Sequence, residues 1–294
     1  MPQHSRLGTF GIWSGAWSDA QRGAQPYTAE FDEAAAELDE LGFGTLWMGG
    51  SPSVVWADRV LAATSRLTVA TGILSIWEHE AADVAVQRAG LEKAHPGRFL
   101  LGLGVSHGHL TKRYAQPYSS MRTYLDVLDT APEPVPAEAR VLAALGPKML
   151  GLARDRAAGA HPYLVTAEHT AKAREILGPD PLLAPELKVV LDTDLDRARA
   201  TARGHLAFYL PMPNYANNLL RLGFTEDDLG GGGSDRLVDA VFALGDSDAV
   251  VRRAADFLAA GADHLALQVV TDDTSHRLPR PAWRQLAEAL ALRD

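Results

Sequence analysis

The sequence predicts an α/β protein, a (β/α)8 TIM barrel with an insertion before its last strand. Three observations predict it. Apolar runs of strand length alternate with helix-period segments along nearly the whole chain; the runs number eight; and they are apolar at successive positions rather than at every other one. A strand covered by helices on both faces has no solvent side to leave polar, so continuous apolarity marks a buried parallel strand. The 294 residues suffice for one such domain, taken as 1–294.

The elements follow in order. "RLGTFGIW" (6–13) reads as the first strand. After a loop, "TAEFDEAAAELDELG" places Phe31, Ala34, Ala35, Leu38 and Leu41 at helical spacing and stops at Gly42. "FGTLWMGG" with "SVVWADRVLAATS", "RLTVATGIL" with "AADVAVQRAGLEKAHPG", and "RFLLGLGV" (98–105) with "SSMRTYLDVLDTA" make the next three pairs. "RVLAALG" is the fifth strand, and Pro147 opens the helix after it, where a missing N–H costs nothing. "AHPYLV" and "TAEHTAKAREILG" form the sixth pair, with Thr166 as N-cap; "LKVVLDTD" and "LDRARATARGHLAFYL" form the seventh.

Residues of about 211–262 read as a loose helical insertion, in which "LGGGGSDR" (229–236) is expected to be a mobile surface loop near the active-site face. "HLALQVV" (264–270) is the last strand, and "PAWRQLAEALAL" closes the chain. A doubly wound open sheet shows the same alternation; eight units without a break favour the closed barrel.

Composition narrows the function. Lys and Arg total 28 against 37 Asp and Glu, a net charge of −9, and no basic stripe interleaves with aromatics, so neither nucleic acid nor an anionic membrane is an expected partner. With no Cys there is no disulfide, thiolate metal site or Cys nucleophile. "MPQHSRLGTFGIW" lacks a basic segment followed by an apolar one, and no run of 18 apolar residues occurs, so a cytoplasmic location is expected.

In such a barrel the chemistry sits at the C-terminal strand ends. Those ends carry Trp13, "MGGS" (48–51), "TGIL" (71–74), "GVSHGH" (104–109), "ALGPK" (144–148), "HPYLVT" (161–166) and "QVVT" (268–271): small residues, amides and hydroxyls, with few carboxylates. Glycosidase or metal-assisted chemistry needs converging acids. Asp192 and Asp194 are the only pair, and Asp194 is expected to cap a helix. Small residues instead admit a flat flavin or deazaflavin ring. The N–H groups after Gly146, beside Lys148, are either an anion site or an ordinary helix start.

"FLLGLGVSHGH" (99–109) begins a dinucleotide fingerprint with Gly102-x-Gly104, but His107 stands where the third glycine belongs, and the segment is the fourth strand. Its glycines therefore point to close backbone approach, with Ser106 and His107 emerging at the barrel mouth. His107 reads as a donor to a polar cofactor atom or as a proton donor. His107 and His109 share a side and His79 lies in "WEHE", but no third ligand is evident, so no metal is expected. Trp13 and Trp77 are placed to wall an apolar pocket, whereas Trp47 and Trp56 read as core.

"GFGTLWMGGS", "TVATGILSIW", "HPGRFLLGLGVSH", "VLAALGPKMLGLARDRAAGAHPYLVTAEHTAKARE" and "GADHLALQVV" together resemble the bacterial luciferase-like family, above all its branch using coenzyme F420. The resemblance implies an oxidoreductase that transfers hydride between the deazaflavin and a small organic substrate, and a homodimer. It implies a non-proline cis peptide at Gly72-Ile73 behind the ring. Gly50, Thr71, Gly72 and Ile73 would line the ring, and Gly104, Ser106 and His107 would contact the ring or its side chain. Ala144, Leu145 and Gly146 would present backbone to the phosphate-bearing tail. His161 and Tyr163, with Trp13 and Trp77, would face the substrate, and His107 then Tyr163 are the candidates for proton relay. The alternatives are an FMN-dependent monooxygenase and a non-catalytic ring-binding barrel. Sugar-phosphate dehydrogenases of this family carry an Asp-His pair after strand two and a Glu after strand four; here Gly50-Ser51 and His107 stand instead. That substrate is not expected.

Overall fold

The computed structural model describes residues 6–21, 23, 28–108, 113–273 and 277–292. Its strands, in chain order, are β1 (Phe10–Ser14), β2 (Thr45–Gly49), β3 (Thr68–Gly72), β4 (Leu74–Ser75), β5 (Phe99–Gly104) and β6 (Arg140–Leu142). They continue as β7 (Gly159–Ala160), β8 (Leu182–Leu183), β9 (Glu186–Leu191), β10 (Phe242–Gly245) and β11 (Leu265–Val269). Pairing is parallel throughout, in the order β10-β9-β11-β1-β2-β3-β5-β6-β7-β8, with β4 prolonging β3 against β5.

This sheet closes on itself, because β8 runs through Ala184 and Pro185 into β9. On one edge of that stave, the N–H groups of Leu182, Ala184 and Glu186 donate to the carbonyls of Ala158, Ala160 and Pro162. On the other, the carbonyls of Pro185 and Val189 accept from Ala266 and Val270. The stave thus joins β7 to β11, and β11 pairs with β1. A barrel of eight staves results, as the alternation predicts.

The insertion departs from expectation. Residues 242–245 are a strand, not helix: β10 bonds β9 from Lys188 to Leu191, on the edge that β7 occupies lower down. Phe242 and Ala243 are buried, so the run "VFAL" is apolar all round, a pattern that helix and strand share. The glycine-rich segment is not a free loop either. Gly230–Gly232 form a 3-10 turn after a capping box made by Thr225 and Asp228, and Arg203 Nε donates to Gly233 O at 2.9 Å. Its glycines, at φ 61°, 83° and 111° for Gly231 to Gly233, supply left-handed backbone that fits the turn onto the helix Leu195–Tyr209.

Other boundaries differ by a few residues. The sixth strand is only Gly159–Ala160, because Pro162 has no N–H to continue the ladder, and a short helix, Ala16–Gln21, stands where a loop is expected after β1. The caps are as read: Thr166 accepts from His169 N, Asp194 accepts from Arg197 N, and Gly42 ends the helix Ala29–Leu41 at φ 90°. Pro147 is the first residue of the helix Pro147–Arg156.

Candidate active site

A cavity of about 400 Å³ lies at the C-terminal strand ends. Trp13 reaches it from β1, Gly50 and Ser51 from beyond β2, Gly72 and Ile73 from the end of β3, and Gly104 to His107 from β5. Ala143 to Leu145 follow β6, and His161 and Tyr163 follow β7. The backbone turns sharply at two of these ends, where Gly50 and Ser51 (φ 78° and 60°) and Ser106 (φ 52°) are left-handed. The Gly72-Ile73 peptide is cis.

Of the residues singled out in the sequence, Trp13, Gly50, Gly72, Ile73, Gly104, Ser106, His107, Ala144, Leu145, His161 and Tyr163 share this cavity. Three are not among its lining. Thr71 is buried in the barrel wall, where its hydroxyl donates to Gly102 O at 2.7 Å and accepts from Gly102 N at 2.8 Å. Gly146 caps the next helix. Trp77 donates from Nε1 to Val105 O at 2.5 Å and packs on Tyr114, stapling two loops together rather than walling the pocket. His109 lies outside the described residues. Lys148 is exposed beside Gly146, and His79 sits 3.4 Å from the Ser51 carbonyl.

The structure adds residues that the sequence reading missed. Phe208, Tyr209, Asn214 and Tyr215 come from the end of the helix Leu195–Tyr209 and the start of the helix Pro213–Arg221. Their signal is the aromatic density of "FYLPMPNY", which spacing alone cannot aim. His107 Nδ1 donates to Asn214 Oδ1 at 2.9 Å, and its ring lies 5.1 Å from that of Tyr215.

Behind the wall sits a polar core. Lys188 Nζ is 2.7 Å from Glu186 Oε2, and neither side chain is more than 1% exposed. The ammonium also stands over the Tyr163 ring, 3.7 Å from its centre. Burial pushes the Glu186 carboxyl up and the Lys188 ammonium down, while their mutual attraction opposes both. Glu186 and Lys188 stand two apart in an otherwise apolar strand, which is the sequence signal for an inward-facing pair.

Tyr163 O lies 2.8 Å from Gln268 Oε1 and 2.9 Å from the Tyr209 hydroxyl. Burial pushes the Tyr163 phenol well above its ordinary range and that of Tyr209 up to about 12. His161 stacks on Trp47 with ring centres 4.0 Å apart, and its Nδ1 donates to Ala184 O at 2.6 Å. Burial lowers its pKa to about 4, so the ring is neutral at pH 7.

Among the described residues no group of three His, Asp or Glu could hold a metal, and Glu78 is the one carboxylate lining the cavity. Asp192 is bound to Arg197. A larger groove of about 860 Å³ lies between the helices Ala29–Leu41 and Arg280–Ala289, where Glu37 binds both Arg280 and Arg284. Both of its arginines are thereby paired. No helix among the described residues is long and apolar enough to cross a membrane.

Residues 9–131 match the family model for luciferase-like monooxygenases. That segment is luciferase-like in sequence. Solved structures share the fold over nearly all of the chain. An F420-dependent secondary alcohol dehydrogenase, in complex with an F420-acetone adduct, is 15% identical with a TM-score of 0.70, covering 97% of this chain and 99% of that one. The coenzyme F420 dependent tetrahydromethanopterin reductase from Methanopyrus kandleri is 15% identical with a TM-score of 0.70, covering 96% and 97%. The oxygenating constituent of 3,6-diketocamphane monooxygenase from Pseudomonas putida, in complex with FMN, is 15% identical with a TM-score of 0.69, covering 95% and 96%. No curated protein matches the chain.

Proposed function

We propose that this luciferase-like protein is an F420-dependent oxidoreductase acting on a small organic substrate. One observation carries the reading: the cavity at the strand ends is walled by backbone, small residues and aromatic rings, with a single carboxylate. That lining suits a flat ring and leaves hydrolysis without its acid pair.

The residues fit such a ring. A Cβ at Gly104 would come within 2.4 Å of Ile73 Cδ1, and Ala143 and Ala144 keep the neighbouring strand end equally low. The buried Nε2 of His161 has no protein partner. Gly50, Gly72, Ile73, Gly104 and Ala144 would hold the ring, and the backbone from Ala144 to Gly146, opening the helix Pro147–Arg156, would take the phosphate-bearing tail. When bound, the deazaflavin supplies a hydride donor and acceptor.

Proton movement falls to His107, whose Nδ1–H is fixed by Asn214 so that the opposite nitrogen is the basic one. Tyr163 is less suited, because its proton is committed to Gln268 and burial holds it in place.

Titration with oxidised F420 and with FMN, followed by absorbance, tests this reading. F420 is expected to bind, and its absorbance to bleach with a suitable electron donor. Preference for FMN, with substrate-dependent oxygen uptake, would replace it by the monooxygenase reading that the family model and the FMN-bound neighbour support. Tight binding without turnover across a broad panel would make the barrel a ring-binding protein.

A further inference from the structure

Three tyrosines line the cavity, and two of them spend their hydroxyl protons on the protein. Gln268 Oε1 can only accept, so Tyr163 donates to it at 2.8 Å, and with that proton used Tyr209 donates to Tyr163 at 2.9 Å. The Trp13 indole N–H is likewise committed, to Gly72 O at 2.9 Å.

The third is Tyr215, in the first turn of the helix Pro213–Arg221. Its ring is held among three others, with centres 5.1 Å from His107, 5.6 Å from Tyr209 and 6.1 Å from Tyr163. Among the described residues its hydroxyl has no hydrogen-bond partner. The residue is only 7% exposed, yet this oxygen is not sealed in protein as the unpaired Tyr124 hydroxyl is, and the cavity is the space that Tyr215 lines. Burial holds the phenol well above its ordinary range, so at neutral pH it is an O–H.

Other donors of the lining differ. The Ser51 and Ser75 oxygens each accept from a backbone N–H, of Ser75 and Trp77 respectively. Ser106 is half-buried and Asn214 exposed, so both reach water. A buried donor without a protein partner discriminates most between a ligand that offers an acceptor and one that does not.

We propose that Tyr215 binds the substrate by donating its O–H to an uncharged carbonyl oxygen. This rests on reading the cavity as the substrate pocket, but not on which cofactor it holds. The lining contains neither Lys nor Arg, so a carboxylate would lose its hydration without a fixed cation to meet it. A ketone or aldehyde oxygen accepts the bond at a smaller cost, and the bond draws electrons toward oxygen and leaves the carbonyl carbon more electrophilic.

The experiment titrates acetophenone, ethylbenzene and benzoate against the full chain by calorimetry, alone and in the presence of F420 or FMN. Acetophenone is expected to bind roughly tenfold more tightly than ethylbenzene, with benzoate weakest. In Tyr215→Phe its affinity should fall to that of ethylbenzene. The variant should melt no lower than the parent, because the hydroxyl it loses bonds nothing in the protein. In the parent chain, the infrared carbonyl stretch of isotope-labelled acetophenone should move to lower frequency on binding, a readout independent of the variant's folding. Equal affinity for acetophenone and ethylbenzene, no binding of acetophenone in any form, an unmoved stretch, or discrimination that survives in Tyr215→Phe overturns the proposal. F420 and FMN titrations on the same sample separate the two readings. Carbonyl discrimination without cofactor binding defeats the oxidoreductase assignment alone; cofactor binding without discrimination defeats this one alone.

Discussion

Lys188 Nζ lies 3.7 Å from the centre of the Tyr163 ring, so the buried charge of the barrel core and the aromatic wall of the cavity are one packed unit. Glu186 completes it at 2.7 Å. Removing one member strands the other in a site without water. Lys188→Met is expected to destabilise the protein by about 3–5 kcal/mol, and the double variant Glu186→Leu/Lys188→Met to recover much of that loss. Denaturant unfolding of the singles and the double checks this; equal losses in all three would show that the pair is not coupled.

Acid should weaken the fold through its buried histidines. Burial lowers the pKa values of His161 and His264 from 6.5 to about 4, so the unfolded chain binds more protons than the folded one between those values. The stabilisation is complete above about 6.5 and is lost as pH falls toward 4, at about 1.4 kcal/mol per pH unit per histidine. His264→Gln, which retains an acceptor for Trp47 Nε1, is expected to flatten the acid limb by one such increment. Unfolding midpoints between pH 7 and 4.5 measure it.

Gly102 and Gly104 should fail differently. A Cβ at Gly102 would sit 1.9 Å from the Thr71 carbonyl oxygen, which is backbone and cannot yield. Gly102→Ala is expected to cost about 3 kcal/mol or more of stability. At Gly104 the obstacle is the tip of Ile73, which can rotate into the cavity, so Gly104→Ala should fold and lose cofactor affinity. Thermal melts paired with F420 and FMN titrations distinguish the two.

Asn214→Ala should leave the fold nearly intact, at a cost of about 1 kcal/mol or less, because the residue is exposed. His107 then loses the partner that fixes its basic nitrogen. Cofactor affinity is expected to hold while the rate of cofactor reduction falls roughly tenfold. Stopped-flow absorbance reads that rate.

The barrel is legible in the sequence because a doubly covered strand must be apolar throughout, as "FLLGLG" and "LALQV" are. β10 is not, since "VFALG" follows a helical repeat directly and an all-apolar run carries no period. The strand-end residues of the candidate site can be read because the architecture itself brings strand ends together. Tyr209 and Tyr215 cannot: they arrive through helix packing, and nothing local says which way a tyrosine on a surface helix will point. Thr71 illustrates the converse. Its place near the strand end suggests ring contact, yet its hydroxyl is taken up in a reciprocal bond with Gly102.

β10 takes up the edge of β9 above the point where β7 ends, and beyond Pro162 the chain turns from the wall so that Tyr163 lines the cavity. The inserted segment is therefore a brace rather than an ornament. Trimming it away would not yield a smaller barrel; it would open a seam beside Tyr163 and remove Asn214 and Tyr215 in the same cut. Any minimal version of this scaffold has to keep β10 and the helix Pro213–Arg221 together, and diversity in what the pocket accepts can be sought in that one stretch of chain without disturbing the remaining staves.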